Sequence, residues 1–144
     1  MKSLIAVLLA LLAHSSSAAI GNEEYSSLSS EVTAFQLFTL PQFDDALNTN
    51  KARKVCFLWG QMDNFVTRLE IASTRIEKND DKGMELKQSI ESLHQEITVS
   101  LKARLDNHCQ DGLKLDTGFI RKSLIKVNAK FEEISLILAD IARY

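Results

Sequence analysis

The sequence predicts an all-α fold, a disulfide-closed antiparallel bundle of three long helices with a shorter N-terminal helix beside them. Three observations predict it. Apolar residues recur at alternating steps of three and four through three long stretches, the signature of a helix with one buried face. Breakers are scarce, with one proline and five glycines in 144 residues. The only two cysteines, Cys56 and Cys109, lie symmetrically about Lys82-Gly83, so a hairpin that turns there brings them level.

The first of these stretches carries Val55, Leu58, Met62, Phe65, Leu69, Ala72 and Ile76, and predicts a helix over residues 51–78 of roughly 40 Å. Thr49 or Asn50 is its expected cap. Gly60 interrupts it at a propensity cost of up to about 1 kcal/mol, which points either to a close neighbour or to simple tolerance. Asn79 to Gly83 then reads as a break. Leu86, Ile90, Leu93, Ile97, Leu101 and Leu105 predict the second helix over 84–109, with Gly112 as a left-handed stop. Its stripe changes to uniform steps of four after Ile97, where the supercoil is expected to straighten. Asp116 or Thr117 caps the third helix, 117–143, whose seam is Ile120, Leu124, Val127, Phe131, Ile134, Leu138 and Ile141.

Ahead of the three, a flexible Gly21 to Ser30 is expected to lead into a short helix over residues 31–40. Val32, Phe35 and Phe38 share its inner face, and Pro41 ends it or opens a further short piece through Phe43 and Leu47. Earlier still, Lys2, the apolar run Leu4 to Ala13 and the small residues Ser15 to Ala19 read as a signal peptide over residues 1–19. Cleavage after Ser17-Ala18-Ala19 leaves residues 20–144 as one helical domain. The apolar run has about half the ~20 residues a membrane span needs, so the protein is expected to be secreted, extracellular and without a membrane span. Export makes a disulfide the natural state of Cys56 and Cys109, because oxidising compartments preserve such bonds.

Chemistry is sparse. No nucleophile elbow, zinc-binding helix motif or phosphate-cradling glycine loop occurs. His94 reads as a helix-flank side chain, and Glu132-Glu133 point about 100° apart rather than converging on a substrate. No enzyme activity, cofactor or metal site is expected, and a formal net charge of −2 gives no reason to expect nucleic acid.

Binding is the remaining class. The hairpin arrangement gathers Lys51, Arg53, Lys54, Lys102, Arg104, Lys114, Arg121, Lys122 and Lys126 at the disulfide end against Asp106, Asp111 and Asp116. That end is a candidate site for an anionic glycan or lipid head group. Phe57 and Ile71 lie off the first seam, and Ile125 and Ile137 off the last; burial under the N-terminal helix is expected for most of them, and any left uncovered marks a partner surface. The crowd of aromatics from Phe35 to Phe65 reads as core, with a lined ligand cavity as the sharper alternative. The expected function is a secreted non-enzymatic effector that binds and modulates or inhibits a host, immune or signalling protein, as in saliva, venom or seminal fluid. The alternative is a secreted carrier of a small apolar ligand.

Overall fold

A computed structural model describes residues 20–76 and 81–142. Among them the secondary structure is entirely helical: α1 (Asn22–Ala34), α2 (Leu40–Asn48), α3 (Ala52–Ser73), α4 (Asp81–Ile97), α5 (Ala103–Asp111) and α6 (Thr117–Ala142). A π turn, Phe35–Thr39, joins α1 to α2 and another, Thr98–Lys102, joins α4 to α5. The backbone stays right-handed helical through both junctions, so the eight pieces make four rods. The expected signal peptide over 1–19 lies outside the described residues.

The first rod corrects the sequence reading in length and in register. Pro41 opens the piece through Phe43 and Leu47, the second of the two alternatives, but there is no break before it, and the rod runs from Asn22 to Asn48. The π turn is the reason. Leu40 donates its N–H to the Phe35 carbonyl, one residue farther back than in an α-helix, and Pro41 enters in the first turn of α2, where its missing N–H matters least. The extra residue also rotates everything after Phe35, so Leu40 takes the inward place that Phe38 was expected to fill and Phe38 is 64% exposed. Residues 22–30 are helical, not flexible. Glu23 and Glu24 suit the positive end of the helix dipole, and Tyr25 and Val32 are buried.

Asn50, at φ 55°, closes the first rod in the left-handed region that asparagine tolerates, while Lys51 donates its N–H to the Ala46 carbonyl at 3.0 Å. Neither Thr49 nor Asn50 caps α3. The Thr49 hydroxyl donates instead to the Asp45 carbonyl at 2.8 Å. The third rod is already helical at Asp81, the first described residue after Ile76 and ahead of the expected 84, and Gly83 is a buried position in it. Its π turn falls where the stripe changes to steps of four. A wider turn absorbs the extra residue per step and keeps Leu101 and Leu105 fully buried. Gly112, at φ 69°, stops α5 as expected, and Asp116 caps α6 by accepting the Phe119 N–H at 3.1 Å.

The three seams meet in one core, buried throughout except for a half-buried Ile141. Phe35, Phe65 and Phe131 fill its centre, with ring centroids 5.1, 5.0 and 5.9 Å apart. The first rod packs along α6, α6 along α4, α4 along α3, and α2 against the start of α3. Cys56 and Cys109 are disulfide-bonded with their Cα atoms 5.7 Å apart. Beside the bond, the Trp59 indole donates to Asp106 at 2.8 Å, and Lys102 lies 3.5 Å from Asp63 and 3.6 Å from Asp106.

Candidate functional site

Both described histidines have partners. His94 Nδ1 is 3.1 Å from Glu70, and His108 Nδ1 is 2.7 Å from the Leu113 carbonyl oxygen. Among the described residues no group of three or more His, Cys, Asp or Glu is placed to hold a metal ion.

The basic end is less basic than the sequence implied. Arg121 reaches across to the first rod, donating through Nε to Asp44 at 2.8 Å and through its terminal nitrogens to Asp44 at 3.2 Å and Asn48 at 3.4 Å. The Arg121 hydrogen bonds hold the Asp44 carboxyl below its ordinary value against an opposing push from partial burial. Lys102 is taken by Asp63 and Asp106, and the Arg104 guanidinium sits 3.9 Å above the Phe119 ring. Lys51, Arg53, Lys54, Lys114, Lys122 and Lys126 have no ion pair among the described residues. All are exposed except a half-buried Lys54.

Burial divides the four off-seam apolar residues against expectation. Only Ile137 is covered; Phe57, Ile71 and Ile125 are 65%, 62% and 71% exposed. The first rod sits over α6 rather than over the middle of α3, which leaves the flank of α3 beside the rod open. A groove of about 430 Å³ runs there, walled by Glu31, Ala34 and Phe38 on one side and Gln61, Asn64 and Arg68 on the other, with Phe35 and Phe65 below. Arg68 spans it, 3.5 Å from Glu31 and with its guanidinium 5.3 Å from the Phe65 ring centre. Phe57 and Ile71 stand on the same strip of α3 as Asn64, at helical steps of seven, one toward each end of the groove.

Two further concavities flank the first rod. One of about 270 Å³ lies at the disulfide end among Leu47, Val55, Leu113 and Leu115. Another, of about 230 Å³, lies between the rod and α6, lined by Pro41, Leu124 and Ile125 among others. Leu37 was not singled out in the sequence, and Phe38, expected inside, is turned outward by the π turn. Comparison with protein-family models, curated proteins and solved structures finds no match to this chain.

Proposed function

We propose that this chain is a secreted, non-enzymatic effector that binds another extracellular protein and modulates or inhibits it. In this reading residues 1–19 are a cleaved signal peptide and residues 20–144 one domain, a disulfide-closed antiparallel bundle. Four contacts support the antiparallel course. Cys56 bonds Cys109 while His94 meets Glu70 farther along, and Asp44 meets Arg121 while Thr33 meets Ser135, so residue numbers rise on one rod as they fall on its neighbour. The disulfide supports an oxidising compartment. Among the described residues no helix is long and apolar enough to cross a membrane.

The observation that carries the reading is the groove with uncovered apolar residues toward both ends. Folding leaves Phe57 and Ile71 in water, roughly 21 Å apart along α3, about the length over which a partner helix or strand makes several anchoring contacts. A photo-crosslinking side chain at Asn64, displayed to plasma proteins and to intact cells, tests it. A discrete crosslinked species is expected, lost in Phe57→Asp/Ile71→Asp while circular dichroism is unchanged. A crosslinking pattern indifferent to that double change would remove the reading.

The concavity at the disulfide end favours the second reading, a carrier of a small apolar ligand, since Leu47, Val55 and Leu115 give it an apolar lining. Native mass spectrometry separates the two. Stoichiometric co-purifying ligand, lost in Val55→Asn, selects the carrier.

A further inference from the structure

Four large apolar side chains left outside the core converge on one level of the bundle. Gln36 meets Asn128 at 3.3 Å and Asp44 meets Arg121 at 2.8 Å, so residues 37–41 of the first rod face the stretch of α6 that holds Ile125. Pro41 and Ile125 line the same concavity. On the other flank Phe38 lines the groove opposite Gln61, and Phe57 stands one turn before Gln61 on α3. Leu37, Phe38, Pro41, Phe57 and Ile125 therefore form an exposed belt from α3, over the outside of the first rod, to α6, with a groove on either side of the rod.

Cations border this belt on both flanks. Arg53 and Lys54 lie one turn before Phe57, and Lys122 and Lys126 lie within a turn of Ile125. None of the four has an ion pair among the described residues. Facing them are the Asp44 carboxylate, neutralised by Arg121, and the exposed Asp45; Glu31, paired with Arg68, lies farther back on the same rod with Glu23 and Glu24, and Glu132 lies two turns beyond Ile125.

We propose that this belt docks side-on onto an anionic lipid bilayer, with Leu37, Phe38, Phe57 and Ile125 entering the interface and Arg53, Lys54, Lys122 and Lys126 meeting the head groups. Apolar side chains flanked by four cations without an ion pair match a surface that lays negative charge over hydrocarbon. Long cationic side chains lay their aliphatic stems beside an apolar surface and keep the charge at head-group level. Acidic lipid attracts each such cation and hydrocarbon receives the belt, so the surface needs both layers of the bilayer. The proposal goes beyond the protein-binding reading, and the two are separable: Asn64 and Ile71 belong to the groove, Leu37 and Ile125 to the belt alone.

Vesicle flotation with the full-length chain tests it, using phosphatidylcholine alone and phosphatidylcholine with about one-third phosphatidylserine. Residues 1–19 are common to all variants, so differences between variants report on the belt. The wild type is expected to float with the acidic vesicles and not with the neutral ones. Leu37→Ser/Ile125→Ser and Lys122→Glu/Lys126→Glu should each lower the bound fraction at least roughly tenfold. All four side chains changed are exposed, so unchanged circular dichroism verifies that both variants fold. No flotation of the wild type overturns the proposal. So does flotation that survives Leu37→Ser/Ile125→Ser, which would reduce the effect to charge alone. Retention on heparin in the absence of any vesicle binding would assign the cations to a glycan and overturn it equally.

Discussion

Arg121 and Asp44 face each other across the seam between the first rod and α6, and their pairing sets an acid sensitivity. The hydrogen bonds from Arg121 hold the Asp44 carboxyl below its ordinary value of 3.8. Near that value the folded protein therefore binds fewer protons than the unfolded chain. The stabilisation is complete above the ordinary value and is lost as the pH falls through the lowered folded one. Both side chains are nearly half exposed, at 43% and 48%, so solvent screening keeps the contribution small. Asp44→Asn should melt below the wild type at pH ~6, and the gap should narrow as the pH falls below the ordinary carboxylate value and wild-type Asp44 takes up its proton. A gap constant across that range would mean that the charge of Asp44 plays no part. The sequence displayed the charge of Arg121 but not its partner 77 positions away, so it read a structural cation as an available one. Phe57 and Ile71 were legible as off-seam residues; whether another helix covers them depends on rod-to-rod placement, which periodicity does not encode.

At the scale of the element, the two π turns were unequally visible. The second left a trace, because Ile97, Leu101 and Leu105 advance by fours; that series was read as a straightening of the supercoil, and a wider turn is the way the chain keeps it on one face. The first was hidden behind Pro41. Proline after Leu40 reads as a stop, and nothing in the spacing of Val32 and Phe35 signals that the turn between them and the proline is one residue larger. The same limit applied to residues 22–30, which are helical because they pack on α6, a tertiary effect on a serine-rich segment. Glycines separate the local from the tertiary case in a second way. A Cβ at Gly60 would meet nothing within 4 Å, and its backbone is helical, so the reading of close approach falls away. Gly60→Ala should stabilise the protein by up to about 1 kcal/mol. Gly112→Ala should destabilise it by about 1 kcal/mol, since φ there is 69°. Urea melts of the two variants, displaced in opposite directions, check this; a common direction would contradict it.

The whole molecule joins one covalent link to one continuous core. All three seams and the cysteine pair were legible, because a buried stripe and a shared level across a hairpin are properties of the chain itself. The bond closes a separation of 53 residues and in the chain-entropy model stabilises the fold by about 4 kcal/mol, a large part of the ~5–15 kcal/mol typical of a domain. Cys56→Ser/Cys109→Ser should therefore lower the unfolding free energy by about 2–4 kcal/mol in denaturant titration while leaving the helical spectrum intact, because the core does not depend on the sulfurs. Loss below about 1 kcal/mol would mean that the hairpin is already closed in the unfolded chain.

The covalent ring has a mechanical meaning as well. α3, α4 and α5 lie almost wholly inside the loop closed by Cys56 and Cys109, whereas the first rod and α6 are its two tails. A pull on the two ends of the domain runs through the first rod, crosses the sulfur bridge and leaves through α6. The tails bear the load and peel from each other along the Asp44–Arg121 and Gln36–Asn128 seam. The looped hairpin transmits no tension, and roughly 180 Å of its contour stays stowed until the bridge is reduced. The exposed belt straddles both tails and the ring, so traction that parts the first rod from α6 takes Leu37 away from Ile125 and dismantles that surface before the hairpin yields.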